Sequence, residues 1–170
     1  LIPIFCDIEK DYYNIDAKEL TNLISKKTKA ILTSDIFGQS CDLNSIKKIA
    51  KKFNLKVISD SAQSIGSKYK EDYTGTLTDI GGFSFNCHKH IQSGEGGILL
   101  TNNSKISSKL KLLRNHAENF TNKMKIKELN NMVGSNYRLG EIESALLITQ
   151  LKKLKNILKR RNVIANSFRN

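Results

Sequence analysis

The chain of 170 residues contains a single proline, three cysteines and only five arginines among its 28 basic residues. Cys6, Cys41 and Cys87 are odd in number and form no Cys-x-x-Cys pair. That argues against a disulfide framework or a structural zinc site and makes a reducing cytoplasm the expected setting. No apolar run approaches the length of a bilayer span, and no basic-then-apolar leader opens the chain, so neither membrane nor export is expected. There is no low-complexity linker and no internal repeat. The chain starts at Leu1 without a methionine, on Leu1-Ile2-Pro3-Ile4-Phe5. This is expected to be a strand entered from something upstream, as in a fragment of a longer protein.

The formal charge is +12. Such an excess suggests nucleic acid, but the arginines sit only at 114, 138, 160, 161 and 169 and the other basic residues are lysines spread along the chain. No aromatic-interleaved basic strip of the kind that stacks bases is present. No nucleic-acid partner is expected; the charge is a lysine-rich bias on the wet faces of helices.

What is present is an alternation of element types. Residues 17–26 carry Leu20, Leu23 and Ile24 at helical spacing behind Asp16, a suitable N-cap. Residues 29–34 form a short apolar run suited to a buried strand. A helix is expected at 43–53 behind Asp42, with Leu43, Ile46, Ile49, Ala50 and Phe53 on one side. Strands are expected at 55–59, 81–85 and 97–101, and helices at 104–114 and from Leu139 to Phe168. Strand–helix–strand alternation predicts an α/β fold, a mostly parallel sheet covered by helices on both faces. Ligands of such sheets bind beyond the carboxyl ends of the strands. Asp60 falls there, Ser84 ends another strand, and Lys89 lies in the loop that leaves it.

A lysine amine in a small, glycine-bordered pocket, downstream of a strand-end carboxylate, can hold an aldehyde cofactor as a Schiff base. Small residues Ser93 and Gly94 and the flanking His88 and His90 give Lys89 that context, although most lysines are simply surface residues. Asp60 alone could equally cap a helix or bind a ribose, and Ser84 could be a strand-end hydroxyl satisfied by backbone. His88 and His90 would share a face on a strand, but no third ligand is near in sequence and no metal is expected. Gly94-Glu95-Gly96-Gly97 marks a tight backbone approach before a strand, without chemistry of its own. It is not a P-loop, since no Gly-Lys-Ser/Thr follows.

The series Asp60, Gln63, Ser84 and Lys89, with the Gly-Glu-Gly-Gly turn, resembles the active-site series of the DegT/DnrJ/StrS-type sugar aminotransferases. Further points of resemblance are Arg114-Asn115-His116-Ala117, where relatives carry Arg-Asn-His-Gly, and Gly134-Ser135-Asn136-Tyr137-Arg138. The resemblance implies pyridoxal 5′-phosphate (PLP) as cofactor. Lys89 would bind its aldehyde, Asp60 its pyridine nitrogen, and Gln63 would lie near its ring hydroxyl. Ser84 would hold its phosphate, and Asn136 would reach the phosphate in a neighbouring subunit. Lys89 and Asp60 would be the catalytic pair. Asp35 stands where relatives often carry histidine.

The resemblance also implies an organisation. Residues 1–135 would be a partial PLP-binding large domain. Residues 136–170 would be an interface segment and long helix leading towards a further C-terminal domain. The implied activity is transamination of a nucleotide-linked ketosugar with an amino-acid donor, glutamate by analogy, in a homodimer with shared active sites. A dehydratase on the same scaffold and a non-catalytic regulator are the alternatives. The dehydratase branch replaces the Schiff-base lysine with histidine, and this chain keeps Lys89, which favours transamination.

Overall fold

A computed structural model describes residues 1–118 and 132–169. Residues 119–131, inside the first of the two expected units, lie outside the described residues. Four strands form one sheet in the order β1 (Ala30–Ser34), β2 (Lys56–Asp60), β5 (Ile80–Ser84), β6 (Gly97–Leu100). The first three run parallel and β6 is antiparallel to β5. A small hairpin, β3 (Lys68–Tyr69) with β4 (Asp72–Tyr73), fills the polar stretch between β2 and β5. The mostly parallel sheet is as expected from the alternation.

Helices α1 (Ala17–Leu23) and α2 (Leu43–Lys52) supply the core on one face. Leu20, Ile31, Cys41, Ile46, Ala50 and Val57 form one buried cluster, with Ile49 and Leu55 packed against it. The strands alternate as a half-covered sheet requires: Ile31 and Thr33 are buried while Leu32 is 67% exposed. The second face is therefore not fully covered by helices among the described residues. Helix starts follow the expected chemistry. The Asp16 carboxylate accepts the Lys18 N–H, and that of Asp42 accepts the Ser45 N–H at 3.2 Å, satisfying donors the helix leaves unpaired.

Three expectations are corrected. Residues 1–5 form no strand; Leu1, Ile2, Ile4 and Phe5 are all exposed, and no described strand edge pairs with them. Helix α1 stops at Leu23 because Ser25 and Thr28 bond each other's backbone N–H and C=O groups and side chains in a tight turn, competing with helical bonding. Strand β2 is shifted by one residue and includes Asp60, because Ser34 pairs with Asp60 and the Asp35 N–H donates to the Asp60 carbonyl at 2.9 Å.

Two constraints, one of them long-range, hold β5 in place. Asp79, just before it, accepts Lys56 Nζ at 2.8 Å and the Val57 N–H at 2.9 Å. Gly81 lies directly against the backbone of Gly75, where an added Cβ would overlap the Gly75 carbonyl oxygen. Because backbone on both sides cannot yield, Gly81→Ala is expected to lower the stability of the intact protein by about 1–3 kcal/mol. Urea unfolding measures this, and an unchanged midpoint would contradict the packing described here.

Candidate active site

The carboxyl ends of β1, β2 and β5 lie side by side. Ser34 is level with Asp60, and Asp60 is level with Gly82, two residues before Ser84. The sheet register thus sets the first two candidate groups on one edge. Asp60 is exposed there, and its Oδ1 accepts the Ala62 N–H at 3.0 Å. Among the described residues no donor meets its Oδ2.

Gln63 follows one turn on. Its Oε1 accepts the Phe37 N–H at 2.9 Å. With the oxygen engaged, the carboxamide presents its NH₂ as a donor. Phe37 itself is held at φ 54°, an uncommon conformation for a large side chain, and is 78% exposed. The loop after β1 is thereby tied to both Asp60 and Gln63.

Ser84 Oγ accepts the Asn86 N–H at 3.2 Å. The backbone bond leaves its own hydrogen available for donation, which is what an anionic oxygen requires. The reading of Ser84 as a hydroxyl consumed by backbone therefore accounts for only half of its capacity.

Lys89 sits in a loop that closes on itself. The Phe85 N–H donates to Gly96 O at 2.8 Å and the Ser93 N–H to Phe85 O at 3.0 Å. Ile91, 1% exposed, anchors the loop from below, and Lys89 is half-buried above it. Asn86 Nδ2 donates to Glu95 Oε1 at 2.7 Å, bracing one limb against the other. Glu95 was expected to contribute shape alone; its carboxylate is in fact a structural acceptor for the lysine loop. The two histidines lie in turn backbone rather than on a strand. Burial, with the charges of Arg161 and Lys89, pushes the half-buried His90 imidazole below its usual pKa.

Asn136 makes a separate set of bonds. It forms an isolated antiparallel bridge with Asn115, and its Oδ1 accepts the Arg138 N–H at 3.3 Å. Arg138 in turn donates to Asn115 Oδ1 at 2.6 Å. No described hydrogen bond links Asn136 to Asp60, Ser84 or Lys89. Among the described residues, Lys89 and Asp60 form no ion pair; each is held by its own backbone.

Sequence reasoning missed the network behind Asp60. Asp35 is 1% exposed and Ser61 0%. Ser61 Oγ donates to Asp35 Oδ2 at 2.6 Å, and the Cys41 N–H donates to Asp35 Oδ1 at 3.3 Å. Burial holds the Asp35 carboxyl above its usual range; the Ser61 hydroxyl and the Cys41 donors offset only part of that rise, and the Asp60 charge adds to it. Burial and the Asp35 charge push the Cys41 thiol up to about 12, so Cys41 is a packed, inert thiol. A lone acidic residue after an apolar strand was the only available signal.

The donor set fits PLP by its chemistry. A carboxylate oxygen stands open for a protonated ring nitrogen, an amide NH₂ for a phenolate, a hydroxyl for a phosphate, and an amine for an aldehyde. A mostly parallel sheet with polar groups at its carboxyl edge is the arrangement in which such a cofactor is bound. The fold superposes on an aminotransferase of this type from Brucella abortus with a TM-score of 0.87 and 29% identity, over 98% of this chain and 45% of that one. The chain belongs to the DegT/DnrJ/EryC1/StrS aminotransferase family, whose pattern it matches over residues 1–170. It is 36% identical to the UDP-4-amino-4,6-dideoxy-N-acetyl-beta-L-altrosamine transaminase of Helicobacter pylori, across 98% of this chain and 44% of that protein. It also resembles the E. coli GDP-4-keto-6-deoxy-D-mannose-3-dehydratase solved with bound hydrated PLP, at 29% identity and a TM-score of 0.83, over 96% of this chain and 46% of that one. The chain thus spans less than half the length of the relatives it matches.

The backbone at His116 and Ala117 has a physical cost. Ala117 has φ 61° and His116 φ 55°, in the left-handed region that costs a non-glycine residue roughly 1–2 kcal/mol. Gly134 packs so closely here that a Cβ on it would overlap the Ala117 nitrogen. Relieving the strain at Ala117 outweighs the added flexibility of glycine. Ala117→Gly is therefore expected to raise stability by about 0.5–1 kcal/mol, read from the urea midpoint; a loss of stability would contradict it.

Proposed function

We propose that the intact protein is a PLP-dependent aminotransferase that aminates a nucleotide-linked ketosugar, with an amino acid as donor. The observation that carries this reading is the shared carboxyl edge of β2 and β5. It sets Asp60 beside the strand that ends in Ser84 and feeds the Lys89 loop. Bound PLP supplies an aldehyde that captures amines and a ring that accepts electron density from a substrate carbon.

The side chains divide the remaining work. Lys89 Nζ would hold the aldehyde, and its free amine would act as the base that takes a proton from the donor α-carbon onto Nζ. Asp60 Oδ2 keeps the ring nitrogen protonated. Gln63 Nε2 would be the donor for the ring oxygen and Ser84 Oγ the donor for the phosphate. Asn136, by resemblance to the family, would serve the site of a second subunit. Residues 1–135 form part of the cofactor-binding domain, and 136–170 the interface segment.

A homodimer is supported by α4 (Glu141–Ser167), which has no fully buried residue and exposes Ile142, Ile148, Leu151 and Val163. Such a run of apolar side chains along one long helix is suited to burial against another surface. Among the described residues no helix is long and apolar enough to cross a membrane. We place the protein in the cytoplasm, where nucleotide sugars are made available. The dehydratase reading draws on the resemblance to the E. coli enzyme. The lysine at position 89 favours transamination.

Borohydride treatment of the intact protein with PLP, followed by peptide mapping, is expected to fix a pyridoxyl group on Lys89. Lys89→Ala is expected to abolish the visible lysine-linked band and reduce amination by at least about 10²-fold. A label on a different lysine, or unchanged turnover, would exclude this mechanism. Deoxygenated product from a 3-hydroxy-4-ketosugar would instead indicate the dehydratase.

A further inference from the structure

The buried carboxyl of Asp35 has no part in the chemistry assigned above, yet it lies directly behind the residue that has. The Asp35 N–H donates to the Asp60 carbonyl at 2.9 Å, so the main chains of the two residues are joined across adjacent strands. Its Oδ2 takes the Ser61 hydroxyl at 2.6 Å. Ser61 is also held by its N–H, which donates to Gly82 O at 2.8 Å. Ala62, the next residue, supplies the N–H that orients Asp60 Oδ1. The turn that aims Asp60 is thus gripped at Asp35 on one side and at β5 on the other. The titratable groups facing the Asp35 carboxyl are Asp60, at the end of β2, and the Cys41 thiol, in the loop before α2.

We propose that Asp35 is a positioning residue for Asp60: through Ser61 it fixes the turn that presents the Asp60 carboxylate, and it adds a second negative charge behind that carboxylate. The proposal rests on the PLP reading of the site. Both effects act in one direction. An anion behind Asp60 favours the protonated form of any cationic group in front of it, and low exposure lessens screening by solvent. Ser61 and Cys41 both donate to Asp35, and these bonds offset part of the cost of burying its negative charge.

The test follows the visible Lys89-linked band of the PLP-loaded intact protein against pH in the wild type, Asp35→Asn and Ser61→Ala. Asparagine is isosteric and keeps an acceptor for the Cys41 N–H, so it removes charge while sparing shape. Loss of the negative charge disfavours the protonated chromophore, and the titration midpoint is expected to fall by about one pH unit, tenfold in the equilibrium. Ser61→Ala is expected to shift it in the same direction by less, and decides the matter if Asp35→Asn does not fold. A purely structural role would change the amount of folded protein without moving the midpoint. Wild-type midpoints in the folded variants overturn this proposal alone. If the wild type forms no Lys89-linked band, the aminotransferase reading fails and this proposal fails with it.

Discussion

The parallel register between β1, β2 and β5 is the constraint on which the site depends. Because Ser34, Asp60 and Gly82 are level, the chain leaves three strands at one edge, and each exit carries a group of different chemistry. The β1 exit carries a buried acid, the β2 exit an open carboxylate followed by an amide, and the β5 exit a hydroxyl followed by an amine. A one-residue slip in such a sheet would invert every side chain. The apolar cluster of Ile31, Val57 and Ile46 therefore does more than stabilise the fold. It selects the register that points Ser59 inward and leaves Asp60 at the rim.

Rigidity at the edge comes from bonds made by residues that do no chemistry. Asn86 and Glu95 brace the lysine loop, Phe37 engages the Gln63 oxygen, and Ser61 links β5 to Asp35. The main-chain N–H groups of Ala62, Phe37 and Asn86 bond Asp60, Gln63 and Ser84 themselves, and each of these bonds leaves a second polar group unused. Asp60 keeps one oxygen, Gln63 its amino group and Ser84 its hydrogen. A site assembled this way is preorganised: its polar groups have few rotamers to lose when a ligand arrives.

Much of this was legible in the residues. Apolar periodicity located every strand of the main sheet and the four α-helices of the described residues to within a few residues, because burial against one core dictates those patterns. Asp16 and Asp42 were readable as caps because the capping bond is local. The position of Asp60 as a strand end was readable too, off by one residue, since the pairing that extends β2 is made by Asp35 on another strand. The Asp35–Ser61 bond, the brace at Glu95 and the failure of residues 1–5 to form a strand were not legible. All three depend on partners distant in sequence or on a neighbouring strand, and no spacing rule encodes them. The small hairpin at 68–73 was hidden for a related reason: two-residue strands carry no period.

The antiparallel turn of β6 has an effect beyond the sheet. By pairing Ser84 with Gly97, it returns the polypeptide to its point of departure and makes the lysine segment a ring sealed by main-chain bonds. Lys89 is thereby carried on a segment closed at its root, and that segment shares no residue with the apolar cluster packed by α1 and α2, so a change within the ring leaves that cluster's own contacts in place.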